Sequence, residues 1–282
     1  MSGMYLSAPI PFVGQKRMFA RRFAQLVATL PGDSVFVDLF GGSGLLSHIA
    51  KRVHPGARVV YNDYDGYRGR LEALPRTNAV LAGIRRIVEG IPRHTQLPPQ
   101  VKARVVGLLE AEERENGSLD YITLSSSLMF SMKYRTDLPS LKKEAFYNNV
   151  RKVPYALCPD YLDGLDIVSC DYRELFQRFK DVPGVVFFVD PPYLSTEVGT
   201  YRMSWGLSDY LDVLEVLRGH RFVYFTSAKS SILELCEWMG RHPSMGNPFD
   251  GCKRLDFNAR LNHSASYTDI MLHNVDTSPD VA

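Results

Sequence analysis

Val35-Phe36-Val37-Asp38-Leu39-Phe40-Gly41-Gly42-Ser43-Gly44 is the stretch whose reading decides the fold. A β-branched and aromatic run closing on an acidic residue predicts a buried strand, and the glycines after it predict a tight turn. Leu45, Leu46, Ile49, Ala50 and Val53 then recur at helical spacing, so a helix with one apolar face comes next. The same pattern repeats outward. Arg58 to Asp63 reads as a second strand and Ile167 to Asp171 as a third, followed by a helical Tyr172 to Lys180. Val185 to Val189 is an unbroken apolar run ending at Asp190. Arg221 to Ala228 and Tyr267 to His273 read as further strands, with a helical Ile232 to Met239 between them. Continuous apolar strands are expected where both faces of a sheet are covered. Strands alternating with helices predict a three-layer α/β domain with a mostly parallel sheet.

From about Asn78 to Tyr155 the pattern changes. Val80, Leu81, Ile84, Ile87, Val88 and Ile91, then Ile122, Leu124, Leu128 and Met129, follow helical spacing, and no convincing strand occurs. The Pro-containing stretch Ile91 to Gln100 predicts an inter-helix loop. The expected organisation is therefore an α/β domain from residues 1–77 and 156–282, interrupted by a helical insertion over 78–155.

Composition bounds the rest. The 282 residues carry 33 basic and 31 acidic side chains, a formal charge of +2, with 45% hydrophobic residues. A disordered or low-complexity chain is excluded, as is a wholly basic nucleic-acid binder. No apolar run approaches the roughly 18 residues that span a bilayer. The N-terminus MSGMYLSAPIPFVGQKR lacks the pattern of a signal peptide, so a soluble cytoplasmic protein is expected. Cys158, Cys170, Cys236 and Cys252 show no metal-ligand spacing, nor do the seven histidines; reduced thiols and no metal site are expected.

In open α/β sheets ligands gather at the carboxyl ends of the strands. Asp38, Phe40, Gly41, Gly42, Ser43 and Gly44 form a turn of this kind, where glycine lets a ligand approach the backbone. No Lys-Ser/Thr follows, so it is not a P-loop, and the spacing differs from a nicotinamide GxGxxG. Asp63, 22 residues beyond Gly41, stands near the offset at which an acidic side chain can accept from ribose hydroxyls. Alone, that pair also fits a purely structural turn. Val189-Asp190-Pro191-Pro192-Tyr193 is more specific. Two prolines fix φ twice and remove two N–H donors, so a rigid extended loop leaves the sheet. It holds a carboxylate, a free carbonyl and an aromatic ring together, which suits an exocyclic amine on a heterocycle.

With these residues in place, the chain resembles the N6-adenine DNA methyltransferases of the Dam-like (D12) family over nearly its whole length. Pro11-Phe12-Val13-Gly14-Gln15-Lys16 is similar to that family's N-terminal aromatic-x-Gly-Gly-Lys motif, with Gln15 in place of the second glycine. Asp38 to Gly44 resembles its S-adenosylmethionine loop, and Asn62-Asp63 its ribose-binding motif. Cys170-Asp171-Tyr172 resembles the Asp-aromatic pair at the cofactor's adenine, and Asp190 to Tyr193 the catalytic tetrapeptide. The resemblance implies a Rossmann-like, seven-stranded methyltransferase sheet ending in an antiparallel strand. It implies S-adenosyl-L-methionine held by Phe12, Lys16, Asp38, Phe40, Gly41 to Gly44, Asp63, Asp171 and Tyr172. Catalysis falls to Asp190, Pro191, Pro192 and Tyr193, with no metal, on a base flipped from double-stranded DNA in a bacterial or phage-infected cell. The insertion, as the target-recognition domain, does not match the hairpin of GATC-specific members, so no target sequence is implied. An RNA adenine-N6 enzyme and a non-catalytic DNA-binding relative remain open. A cytosine-N4 enzyme would usually carry Ser where Asp190 stands.

Six basic residues (Lys133, Arg135, Lys142, Lys143, Arg151 and Lys152) give the stretch 133–152 a net charge of +4, with Tyr134, Phe146 and Tyr147 interleaved. It reads either as a phosphate-contacting surface for DNA or as a solvated helix face. Lys16, Arg17, Arg21 and Arg22 carry the same two readings.

Overall fold

Seven strands and ten helices form among the residues that the computed structural model describes, 3–130, 134–192, 205–228, 230–242, 244–260 and 266–275. In chain order they are α1 (Ala20–Val27), β1 (Val35–Asp38), α2 (Leu45–Val53), β2 (Arg58–Asn62), α3 (Tyr67–Glu72) and α4 (Leu74–Ile87). Next come α5 (Pro99–Asn116), α6 (Tyr121–Leu128), α7 (Leu138–Lys142), β3 (Asp166–Val168), α8 (Tyr172–Phe179) and β4 (Val185–Val189). The chain continues through α9 (Leu207–Leu217), β5 (Phe222–Ser227), α10 (Ile232–Gly240), β6 (Lys253–Arg260) and β7 (Ser266–His273). The strands make one sheet in the order β3-β2-β1-β4-β5-β7-β6, as expected of the fold class. β1 to β5 run parallel, and β7 pairs antiparallel with both β5 and β6.

The chain divides into two compact units, the first made of 1–7, 15–65 and 160–282. It contains the whole sheet, with a core on each face. Val37, Val60, Phe187, Val189 and Tyr224 pack with Leu175 of α8, Leu214 of α9 and Ile232 of α10. Phe36, Val186, Phe188, Val223 and Phe225 pack with Phe19, Phe23 of α1 and Leu45, Ile49 of α2. Side chains two residues apart on a strand point to the same face of the sheet. Asp38 and Asp190 lie two residues beyond Phe36 and Phe188, so they share the α1 face.

Two sequence expectations change. β6 is a strand that KRLDFNAR does not announce; it is an edge strand, and Leu255 and Phe257 pack against the core. β3 stops at Val168, because Asp171 instead caps α8, accepting from the Arg173 N–H at 2.8 Å.

The second unit, 8–14 and 66–159, is helical, and it is larger than the 78–155 read from the sequence. α3 and the first turn of α4 belong to it, and Arg70 explains why the N-terminal segment does too. Its guanidinium pairs with the buried Asp120 at 2.9 Å and donates to the Pro11 carbonyl at 2.7 Å. The Tyr67 hydroxyl donates to the Ile10 carbonyl, 3.2 Å away. Asp120 also caps α6, accepting from the Thr123 N–H at 3.1 Å. No described helix in either unit is long and apolar enough to cross a membrane.

Candidate active site

At the carboxyl edge of the parallel strands, on the α1 face, three aspartates come together. Asp38 ends β1, Asp190 follows β4, and Asp269 of β7 lies opposite Ser227, the last residue of β5. Lys16 precedes α1, its carbonyl accepting from the Phe19 N–H at 2.9 Å, and its ammonium reaches Asp190 Oδ2 at 2.7 Å. Both partners are largely withdrawn from water, with 8% and 17% of their side chains exposed. Burial raises the Asp190 carboxyl above its ordinary range, and Lys16 opposes that rise. The sequence offered Lys16 as a cofactor or DNA contact or as surface charge; the structure places it on the aspartate of the tetrapeptide.

Pro191 and Pro192 are both buried, and the Tyr210 hydroxyl of α9 donates to the Pro192 carbonyl at 2.6 Å. This clamp fixes the loop that carries Asp190, and nothing in the sequence singled out Tyr210. Tyr193 lies outside the described residues.

The glycine turn is shaped by what lies under it. A Cβ at Gly41 would stand 2.3 Å from the Tyr61 ring and 2.7 Å from the Asn62 carbonyl, so no side chain fits. Gly42 and Gly44 have φ of 50° and 71°, a region glycine enters without strain. Asp38 is fully buried; its Oδ2 accepts from Ser47 Oγ at 2.8 Å, while Oδ1 has no hydrogen-bond partner among the described residues. Burial pushes this carboxyl up to about 7, with the Ser47 hydrogen bond opposing and the nearby Asp190 adding to the rise. An unpaired buried carboxylate oxygen is costly, and a cationic or N–H-bearing ligand would satisfy it.

At the next strand end Asn62 works as a clasp. Its amide donates to the Leu39 and Cys170 carbonyls, both at 3.0 Å, and accepts from the Cys170 N–H at 3.1 Å, tying β1, β2 and the end of β3 together. Asp63 Oδ1 lies 3.0 Å from the Tyr61 hydroxyl, which also reaches the Gly42 carbonyl at 2.8 Å. Asp171 is engaged as a helix cap, and Arg173 bridges toward Asp209 at 2.6 Å and Asp212 at 2.8 Å. Tyr172 forms an aromatic wall with Phe40, centroids 4.8 Å apart, and with Trp205, 5.7 Å away and tilted by only 25°. Trp205 in turn meets Tyr210 edge-on at 5.2 Å. Trp205 escaped the sequence reading because a lone tryptophan before a helix carries no pattern.

No protein-family model matches the chain. It is 31% identical over 277 residues to a Haemophilus influenzae (strain ATCC 51907 / DSM 11121 / KW20 / Rd) protein named "Putative methyltransferase", covering 95% of this chain and 92% of that one. The chain belongs to this methyltransferase family. Among solved structures, a precorrin-6y C5,15-methyltransferase from Geobacter metallireducens GS-15 aligns over 90% of this chain and 86% of its own, at 12% identity and a TM-score of 0.32.

In this methyltransferase Arg17, Arg21 and Arg22 belong to the first unit, and the remaining sequence candidates lie in the helical unit. Phe12 meets Tyr67 edge-on at 5.7 Å there. Of the basic stretch, Lys133 lies outside the described residues. Arg135 pairs with Glu144, and Lys142 with Glu110 at 2.5 Å. Arg151 lies over the Tyr155 ring at 4.2 Å; Lys143 and Lys152 are exposed. The stretch is not one helix, since α7 ends at Lys142. Phe146 is 1% exposed under the Lys102 ammonium, so it is a core ring and cannot wedge into a duplex. Among the described residues no group of His, Cys, Asp and Glu is arranged to hold a metal ion.

Proposed function

We propose that the chain transfers a methyl group from S-adenosyl-L-methionine to the N6 amine of adenine in DNA, as a member of the Dam-like (D12) family would. The observation that carries this reading is the contact between Lys16 Nζ and Asp190 Oδ2. A nitrogen donor already rests on the tetrapeptide's carboxylate, where a base amine would donate.

An adenine amine is a weak nucleophile because its lone pair is delocalised into the ring. The base must first leave the duplex, since the amine is otherwise paired and stacked. Asp190 and the Pro191 carbonyl can then accept hydrogen bonds from its two N–H groups and favour a pyramidal nitrogen; one of these protons leaves once the methyl group has been gained. Proline has no N–H of its own to compete for the amine. The Tyr210 hydroxyl on the Pro192 carbonyl keeps the acceptors in place, so the amine meets them preorganised.

The turn from Gly41 to Gly44, the unpaired Asp38 Oδ1, Asp63, and the Phe40–Tyr172 wall fit the cofactor's backbone approach, charge and adenine. Bound S-adenosylmethionine supplies an electrophilic sulfonium methyl. Burial makes the charged forms of Asp38 and Asp190 costly, and a cationic ligand relieves that cost.

The test is methyl transfer from labelled cofactor to mixed DNA and RNA, followed by digestion and identification of the product. N6-methyladenine in DNA is expected. Label confined to RNA would replace DNA by RNA in this reading, and N4-methylcytosine or no transfer to any nucleic acid would overturn it.

A further inference from the structure

Lys16 stands where the substrate amine of the proposed chemistry would have to bind. If Asp190 is to accept from that amine, the ammonium that occupies it must be received elsewhere, because a buried charge without a partner is strongly disfavoured. The strand register points to a receiver. Val189 of β4 lies beside Tyr224 of β5, and Ser227, three residues further on, faces Asp269 of β7. Asp269 and Met271 alternate onto one face, and Met271 packs in the core beneath α1, so Asp269 lies on the face that Lys16 covers. Its Oδ1 is buried and has no hydrogen-bond partner among the described residues. Burial raises the Asp269 carboxyl, and Lys16 is the charge that opposes the rise.

We propose that Asp269 is the alternative counter-ion of Lys16, taking the ammonium when a substrate amine displaces it from Asp190. The inference rests on the reading of Asp190 as the amine's acceptor. No bond is made or broken in this exchange, and the proton stays on Lys16 throughout. Asp269 is a positioning residue: it keeps Asp190 available without leaving a buried cation unpaired. Among the described residues, the carboxylates that interact with Lys16 include Asp190 after β4, Asp38 at the end of β1 and Asp269 on β7. Asp38 Oδ2 is held by Ser47 at 2.8 Å, and its unpaired Oδ1 belongs to the cofactor's charge in the proposed function, which leaves Asp269 as the receiver.

Two measurements on the full chain separate this inference from the proposed function. The first needs no substrate: NMR titration of ¹³C-labelled lysine, with the Lys16 signal assigned by its loss in Lys16→Met. In Asp190→Asn the Lys16 midpoint should stay within about one pH unit of wild type, because Asp269 takes the ammonium. In Asp190→Asn/Asp269→Asn it should fall by roughly two units or more, as for a buried lysine without a partner. Asp38 is present in both and serves as a constant background. A double variant that titrates like Asp190→Asn overturns the inference.

The second is the pH profile of methyl transfer. Asp269→Asn should lower kcat about tenfold near neutral pH with the cofactor KM unchanged, since Lys16 then stays on Asp190. Raising the pH should restore turnover as Lys16 loses its proton, and Asp269→Glu should retain it. A deficit that is the same at every pH overturns the exchange. If the wild-type chain methylates no adenine, the proposed function fails, and the lysine titration alone decides whether Asp269 holds Lys16.

Discussion

At the sheet edge Lys16 and Asp190 meet at 2.7 Å with 8% and 17% of their side chains exposed. In the helical unit Lys142 and Glu110 meet at 2.5 Å with 44% and 46% exposed. The distances are alike and the surroundings are not. An exposed pair contributes about 0–1 kcal/mol, because water screens both charges and holding two long side chains costs entropy. A buried pair must first offset its own desolvation, so apolar residues of the same volume would often stabilise the fold better. Asp38, Asp190 and Asp269 on one buried face are therefore poor choices for stability. They make sense as a place where charge is used.

Removing a charge from each region should therefore have very different consequences. Asp190→Ala should lower turnover on the order of 10²-fold or more, the scale of losing one preorganised polar contact. Cofactor affinity should change far less, because the glycine turn and aromatic wall are untouched. Near-wild-type kcat would reduce the proline loop to a turn. Gly41→Ala comes next. Its Cβ would strike the Tyr61 ring and the Asn62 carbonyl, so overpacking should destabilise the chain by about 1–3 kcal/mol. It should also shrink the rise in Tm that saturating S-adenosylmethionine gives wild type, about 2.7 kcal/mol of stabilisation at a hundred times Kd. An unchanged shift would move the cofactor away from this turn.

These two residues were legible in the sequence, and the reason is physical. Val185–Val189 is buried on both faces, so its apolar run could not be mistaken, and a turn that excludes every side chain must be written in glycine. β6 was invisible because an edge strand with Arg254, Asp256 and Asn258 facing out is polar by necessity. The contact of Lys16 with Asp190 joins positions 174 residues apart, and no local pattern announces it. Nothing in the sequence marks Tyr210 or Trp205, because a hydroxyl aimed at one carbonyl leaves no periodicity. Asp269 stood unmarked inside the strand read over Tyr267 to His273, since register alone shows which strand end it faces.

Asp38 sharpens the comparison through pH. Burial pushes its carboxyl up to about 7 from 3.8, so the folded chain binds this proton more tightly than the unfolded one. The stability it contributes is complete below about pH 4, is lost as the pH rises toward 7, and stays lost above. Asp190 and Asp269 are raised too, and they tilt the curve in the same sense. Asp38→Asn can still accept from Ser47 and never ionises, so its urea midpoint should fall less than that of wild type between pH 4 and 7. Parallel curves would mean that Asp38 is better solvated than its burial implies.

The smallest effect is expected in the helical unit, where charge contributes least to stability. Lys142→Gln/Lys143→Gln should alter stability by no more than about 0.5–1 kcal/mol, since Lys142 loses only an exposed pair. DNA binding is a different quantity. Each phosphate contact releases a condensed counterion, so if both lysines touch phosphate the slope of log K against log salt should fall by about 1 to 2. Glu110 competes for Lys142 before any phosphate can, and Glu110→Gln should therefore strengthen DNA binding modestly at low salt without altering cofactor affinity. If the double variant keeps both its affinity and its salt slope, these lysines form a solvated face, and Arg17, Arg21 and Arg22 become the next residues to neutralise. The overall charge of +2 leaves little attraction to spread over the whole surface, so a grip on DNA has to be local wherever it lies.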